Sequence, residues 1–236
     1  MKVEVDTRRT VTRVIQIALV LQLVVLVGDI VFNYLDVFGH LSIRRIFNIA
    51  REESFPTWFA STQALAVAVT AAGLWRITAR QSWAWVAGFF LYISIDDAAQ
   101  VHERVSTALA DTFPTLPFLS DYPSFSWHLL IAPILAAALL AVGAQLWVSD
   151  PTRQTKLLVV AGLAAFAVSQ GIDVLEGVDG LFDGWADDLG VAPYTVGHGL
   201  RTVEEMLEML GTLALWVPML RLTSDRLGTI SIETVR

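Results

Sequence analysis

The sequence consists largely of apolar runs of about 20 residues, and these runs constrain its fold more than any other feature. Parts of two such runs are "VIQIALVLQLVVLVG" and "LLIAPILAAALLAV", neither of which contains a charged residue. A helix rises about 1.5 Å per residue, so a run of this kind can cross the hydrocarbon core of a bilayer, which is about 30 Å thick. Apolar residues make up 55% of the chain, and its mean hydropathy is +0.58. The sequence therefore predicts an all-α, polytopic membrane helical bundle.

We predict six membrane spans within a single transmembrane domain that covers residues 1–236. The predicted spans are 11–36, 56–77, 82–103, 125–148, 155–177 and 197–221. Short and long connections alternate between them, as expected for antiparallel neighbouring helices. The first apolar run is predicted to be a retained helix and not a signal peptide, because it is too long and no small-residue cleavage site follows it.

The Lys and Arg residues are distributed unequally between the two sides of the predicted bundle. The side that holds the N-terminus carries Lys2, Arg8, Arg9, Arg13, Arg76, Arg80, Arg153, Lys156, Arg221, Arg226 and Arg236. The opposite side carries Arg44, Arg45, Arg51, Arg104 and Arg201. Because loops rich in Lys and Arg remain inside, both termini are predicted to be cytoplasmic, in a bacterial plasma (inner) membrane. The acidic side would then face the periplasm or exterior, and nothing in the chain predicts a nucleic-acid partner.

Polar residues recur at helical spacing where the predicted spans reach the acidic side. In "SIDDAAQVHE", Asp96, Gln100 and Glu103 are spaced i, i+4 and i+7, which places them on one face of a continuous helix. The same pattern gives Asp29, Asn33 and Asp36 in the first span, Ser169, Asp173 and Glu176 in the fifth, and Arg201, Glu205 and Glu208 in the sixth. An unpaired carboxylate in the bilayer costs about 2.5–3.5 kcal/mol or more. We therefore expect these groups to converge on a polar cavity in the outer third of the bilayer.

Such a cavity would contain more carboxylates than cations. Arg201 is the candidate charge-balancing residue, and its spacing suits pairing with Glu205 or Glu208. The remaining negative charge requires protons or a bound metal. The chain contains no cysteine, but a mixed imidazole and carboxylate set suits a divalent Zn, Fe or Mn ion. The candidate metal ligands are His102, His198, Asp96, Glu103, Glu205, Glu208, His128 and Asp173.

Three kinds of function fit these residues. In the first, a bound metal activates water or oxygen for hydrolysis or oxidation of a lipid-like substrate, with Glu205, Glu103 and Asp96 as candidate catalytic carboxylates. In the second, the cluster serves a cation- or proton-coupled transport or sensor protein. The inner halves of the spans contain few polar residues, which argues against a continuous transport path. In the third, the cluster is a structural network in a membrane subunit. The oligomeric state stays open.

The segments "FLYISIDDAAQVHE" and "RTVEEMLEMLG" resemble an uncharacterised family of bacterial multi-pass membrane proteins. In that family one helix ends in an Asp-Asp/Glu-Ala segment that leads to His-Glu, and a Glu-Glu-x-x-Glu-Met helix comes last. The resemblance implies a multi-pass membrane protein without implying an activity. The set of His102, His128, His198, Asp96 and Ser94 is also similar to the zinc ligands of alkaline ceramidases and adiponectin receptors. That distant analogy would imply a membrane hydrolase, although the chain has six predicted spans where that family has seven.

Overall fold

The computed structural model describes residues 2–35, 37, 39–113, 127–178 and 180–233, and most of them are helical. The helices are α1 (Thr7–Asp29), which continues as a π-helical segment (Ile30–Tyr34), α2 (Leu41–Phe47), α3 (Phe55–Thr78), α4 (Gln81–Ala99), α5 (Val101–Thr112), α6 (Trp127–Leu130), α7 (Ala132–Ser149), α8 (Arg153–Glu176), α9 (Leu181–Leu189) and α10 (Pro193–Leu227). Two short strands, β1 (Lys2–Asp6) and β2 (Thr229–Glu233), form an antiparallel pair. The predicted helical bundle is therefore confirmed for the body of the chain.

Five helical stretches of the described chain are long and apolar enough to cross a membrane. They are Thr7–Tyr34, Phe55–Thr78, Ala132–Ser149, Arg153–Glu176 and Pro193–Leu227. α1 also exposes a row of large apolar side chains, of which Ile17, Val20 and Leu23 are each more than half exposed. An apolar helix face of this extent is typical of contact with lipid. Its composition and exposure thus agree with a membrane protein.

Capping residues define several of the helix ends. Asp6 accepts hydrogen bonds from the backbone N–H groups of the first turn of α1, and Ser54 and Thr152 do the same for α3 and α8. Ala79, directly after α3, has a left-handed φ of 53°, and α4 begins two residues later. This tight turn makes α3 and α4 antiparallel neighbours.

The apolar core lies between α3, α4, α8 and α10. Its fully buried side chains include Val67 and Leu74 of α3, Trp83 and Phe90 of α4, and Leu215 of α10. This core occupies the part of the bundle that is nearer to the strands. The polar side chains described below lie toward the opposite end, which we call the polar end.

The third predicted span, 82–103, is not one continuous helix. α4 ends at Ala99, Gln100 adopts a left-handed φ of 52°, and α5 then begins at Val101. The Asp96 carboxylate accepts a hydrogen bond from the backbone N–H of His102 at 2.8 Å, which stabilises the start of α5. The prediction that Asp96, Gln100 and Glu103 share one helical face is therefore wrong.

Other bounds differ less from the predictions. The predicted spans did not include β1 and β2, and the long connection 178–196 contains α9. The fourth predicted span, 125–148, corresponds to α6 and α7, although its first two residues lie outside the described part of the chain. Asp36, the last polar residue predicted for the first span, also lies outside the described residues.

Two glycines allow α8 and α10 to pack closely. A Cβ atom added at Gly162 would lie 3.1 Å from the carbonyl oxygen of Gly211. A Cβ atom added at Gly211 would lie 3.2 Å from the carbonyl oxygen of Gly162 and 3.0 Å from the Phe166 ring. Small residues at such a crossing are typical of helix pairs in membranes.

We predict that Gly211→Ala lowers the stability of the purified protein by about 1–3 kcal/mol, because the added methyl group has to separate the two helices. Gly171→Ala is the matched control, since no heavy atom lies within 4 Å of a Cβ at that position of α8. Thermal unfolding in detergent measures both. Equal midpoints for the two variants would contradict the close packing.

Candidate functional site

Asp29, at the end of α1, is fully buried and has several hydrogen-bonding partners. His198 Nε2 lies 3.0 Å from each carboxylate oxygen of Asp29, and Thr202 Oγ1 donates to Oδ2 at 3.0 Å. Asn33 Nδ2 and the backbone N–H of Ile49 each donate to Oδ1 at 3.1 Å. Asp29 thus connects α1, the π-helical segment, the connection before α3, and α10. Its hydrogen bonds offset the cost of burying the carboxylate.

His198 is 5% exposed and lies between two tyrosines. The Tyr194 ring stacks on it with a centroid distance of 5.0 Å, and the Tyr34 ring is tilted against it at 5.2 Å. Nε2 is used by Asp29, and within the described residues no hydrogen bond reaches Nδ1. The structure therefore places this predicted metal ligand beside Asp29.

Asp96 and His102 form a second aspartate–histidine pair. His102 Nδ1 lies 2.7 Å from Asp96 Oδ2, and the Tyr92 hydroxyl donates to Oδ1 at 3.4 Å. Within the described residues, no hydrogen bond reaches His102 Nε2. Burial lowers the pKa of His102, but the hydrogen bond to Asp96 and the charges of Asp96, Glu103 and Asp173 outweigh it, so the pKa is raised.

His128 and Asp173 form a third pair, with His128 Nε2 3.0 Å from Asp173 Oδ2. Trp127 connects this pair to the second one. Its ring stacks on His128 with a centroid distance of 4.3 Å and meets the His102 ring edge-on at 4.6 Å. The two pairs are therefore neighbours across a single indole ring.

Further carboxylates lie around His102. Glu208 accepts hydrogen bonds from Ser169 Oγ at 2.6 Å and from Gln170 Nε2 at 3.2 Å. Electrostatic interactions connect these groups, from Glu205 to Glu208 and Asp97, and from both Asp97 and Glu208 to His102. We call the whole set the polar cluster, which comprises Glu52, Asp96, Asp97, His102, Glu103, His128, Asp173, Glu204, Glu205 and Glu208.

Arg201 does not pair with Glu205 or Glu208 as predicted. It forms an ion pair with Glu176 at the end of α8. Helical spacing placed Arg201 and these glutamates on one side of α10, but it could not show that Glu176 of the neighbouring helix lies closer. The ion pairs of Arg8, Arg9 and Arg201 do not involve a carboxylate of the polar cluster.

The predicted metal ligands are not brought together in one group. Among the described residues, no group of three or more His, Asp and Glu side chains has an arrangement that would hold a metal ion. His102, Asp96, Glu103, Glu205, Glu208, His128 and Asp173 lie in the polar cluster, whereas His198 lies at Asp29. The role of Asp29 and the position of Trp127 were not predicted. The sequence signal for Asp29 was its place in the polar pattern of the first span, with Asn33 and Asp36, but this pattern did not reveal its pairing with His198.

A cleft of about 580 Å³ opens beside His198. Its lining includes Arg51, Glu176, Phe182, Asp183, Tyr194 and Arg201. These residues come from the connection before α3, the end of α8, α9, and the first turns of α10. None of them belongs to the polar cluster.

These features define a mainly helical protein with membrane-length apolar helices and aspartate–histidine pairs at one end. A family model described as a domain of unknown function (DUF8692) matches residues 14–223. The match covers most of the chain, so the chain belongs to this family. It spans all three pairs and every helix from α2 to α9. No curated protein and no solved structure shows significant similarity to the chain.

We predict that Asp29→Ala destabilises the protein by about 3 kcal/mol or more, because it leaves His198 and three other buried groups without their acceptor. Thermal unfolding in detergent measures the loss. Asp188→Ala, at an exposed position of α9, is the matched control and should change the midpoint little. A small effect of Asp29→Ala would contradict the central role of this carboxylate.

Proposed function

We propose that the protein is a multi-pass protein of the bacterial plasma (inner) membrane, with six crossings and both termini in the cytoplasm. α4 would be the sixth crossing helix, beside the five apolar stretches. It has 19 residues, about 28 Å of helix, and packs along α3. Asp96 and Asp97 lower its apolar character, and the polar cluster explains their presence. The lipid bilayer is then the chief partner.

The strand pair supports an even number of crossings. β1 lies at the beginning of the described chain and β2 at its end, and they pair residue by residue from Lys2–Glu233 to Asp6–Thr229. This pairing supports a topology in which the two strands lie on the same side of the membrane. Six crossings satisfy this condition and five do not. The excess of Lys and Arg on the side of the strands favours a cytoplasmic location for that side.

Single cysteines test this topology, because the chain has none of its own. We predict that Leu189→Cys reacts with a membrane-impermeant maleimide in intact spheroplasts. Gln154→Cys should react only after the membrane is permeabilised. Both positions are exposed, so burial does not limit either reaction. The reverse pattern would contradict the proposed sidedness. Equal labelling of both cysteines in intact spheroplasts would show that α8 does not cross the membrane between them.

The polar cluster, in this proposal, binds a divalent cation such as Zn, Fe or Mn. The observation that carries it is the Asp96–His102 pair. A histidine that binds a metal through one ring nitrogen commonly holds a carboxylate with the other. His102 holds Asp96 through Nδ1, so Nε2 remains as the ligand atom. Asp96 would then orient the ligand without binding the metal itself.

Charge balance gives independent support to a bound cation. Several carboxylates interact with His102 and with one another, and Arg201 is engaged by Glu176. Such carboxylates repel each other at low dielectric unless protons or a metal neutralise them. Glu208, oriented by Ser169 and Gln170, is the second ligand in this proposal, and Asp97 or Glu205 would complete the set.

A metal at this place would lower the pKa of a bound water and provide a nucleophile for hydrolysis, or with iron would support oxidation. Glu205 or Glu103 would act as the general base. In this proposal the polar cluster lies in the outer third of the bilayer. A lipid-like substrate is favoured, because such a molecule can reach the cluster from within the bilayer.

A second candidate function is proton binding in a coupled transporter or sensor. The observation that favours it is that His102, His128 and His198 each hold an aspartate, while no metal-holding group is formed by the described residues. Carboxylates that share protons would balance the cluster without a metal. A structural network without either activity would have the same pairs.

Elemental mass spectrometry of protein purified without chelator separates these candidates. We predict near-stoichiometric Zn, Fe or Mn in wild type and its loss in both His102→Ala and Glu208→Gln. His40→Ala is the matched control and should retain the metal, because His40 is exposed and lies outside the polar cluster. A wild-type protein that stays metal-free after incubation with each ion would overturn the metal proposal and favour proton binding.

A further inference from the structure

The cleft beside His198 is separate from the polar cluster and has the features of a small-molecule site. Its volume of about 580 Å³ lies within the range of about 300–1,000 Å³ that is typical of ligand pockets. Two stretches that are distant in sequence contribute to it, namely the connection before α3 and the stretch from the end of α8 to the first turns of α10. Its wall combines charged and aromatic side chains, so it can contact both halves of an amphipathic molecule.

Two arginines line this cleft. Arg201 uses Nη2 for its ion pair with Glu176, and the other N–H groups of the guanidinium remain for a ligand. The Arg51 side chain has neither an ion pair nor a hydrogen bond to any described residue. The guanidinium fork matches the oxygen atoms of phosphate and carboxylate groups. Two arginines on one cleft therefore favour an anionic ligand.

His198 adds a third polar group at the same place. It lines the cleft, is 5% exposed, and gives Nε2 to Asp29. No hydrogen bond within the described part of the chain gives its Nδ1 a partner. A ligand oxygen in the cleft would provide one.

The other half of the cleft is apolar. Phe182 and the Tyr194 ring form part of the wall. Large apolar side chains are also exposed on this part of the protein, since α9 carries Leu189, which is 70% exposed, and Leu35, directly after the π-helical segment, is 65% exposed. These residues suit contact with an acyl chain or with the bilayer interface.

We propose that this cleft binds the phosphate group of an amphipathic molecule, with Arg51, Arg201 and His198 around the phosphate oxygens and with Phe182 and Tyr194 against the apolar part. The phosphate belongs either to a phospholipid or to a soluble organic phosphate. Asp183 also lines the cleft and opposes an anion there. Removal of the Asp183 charge should therefore strengthen binding of the phosphate, whereas removal of an arginine charge should weaken it.

Tryptophan fluorescence of the full chain in a neutral detergent tests the proposal, because Trp185 packs against Phe182 with a centroid distance of 5.5 Å. The probes are short-chain phosphatidic acid, the matching diacylglycerol without phosphate, and inorganic phosphate. We expect saturable binding of the phosphatidic acid, none of the diacylglycerol, and binding of inorganic phosphate that is about tenfold weaker. A chelator in every sample makes the result independent of the metal proposal.

Variants show whether binding uses the cleft. Arg51→Gln should weaken phosphatidic acid binding by about tenfold, and Asp183→Asn should strengthen it a few-fold. Arg45→Gln, at an exposed position of α2 outside the cleft, is the matched control and should leave it unchanged.

Three results would overturn the proposal, in whole or in part. Absence of saturable binding to wild type by both phosphate-containing probes rejects a phosphate site. Equal weakening by Arg51→Gln and Arg45→Gln shows general surface attraction and also rejects the site. Equal affinity for inorganic phosphate and phosphatidic acid overturns the amphipathic part and leaves a soluble phosphate as the ligand.

Discussion

The buried carboxylate of Asp29 determines how the polar end of the bundle is assembled. A fully buried carboxylate requires hydrogen bonds to protein groups, because the apolar core does not supply them. Asp29 has four partner groups in three parts of the chain, and two of them, His198 and Thr202, lie on consecutive turns of α10. This interaction fixes the rotation of α10 about its axis. The rotation in turn places Glu205 and Glu208 toward α8 and α4, and Arg201 toward Glu176 and the cleft.

The same chemistry recurs twice more at this end of the protein. Asp96 joins α4 to α5 through His102, and Asp173 joins α8 to α6 through His128. A buried ionic pair adds little net stability, but removing one partner is costly, so such pairs restrict how helices can be arranged. The helix break at Gln100 follows from one of them, because Asp96 binds both the backbone and the ring of His102. The break turns His102 toward Trp127. The Trp127 ring then lies between the Asp96–His102 pair and the His128–Asp173 pair.

Apolar runs predicted the membrane-length helices well, because length and composition alone decide whether a segment can cross a bilayer. The break at Gln100 was not predictable in this way, since no glycine or proline marks it and a side-chain contact causes it. Strand formation was visible in the alternation of "KVEVD" and "TISIE", although the apolar runs dominated the interpretation. Helical spacing also identified Asp96, Glu103, Asp173, Glu205 and Glu208 of the polar cluster. It could not reveal their partners, because spacing describes one helix and Arg201 pairs across to Glu176 of another.

The central claim is that a cation bound through His102 Nε2 balances the carboxylates of the polar cluster. Crystals of the metal-loaded protein, measured on both sides of the absorption edge of the bound ion, test it most directly. The account predicts an anomalous difference peak within coordination distance of His102 Nε2 and of the Glu208 carboxylate. An ordered cluster without a peak, in protein saturated with Zn, Fe or Mn, would contradict it.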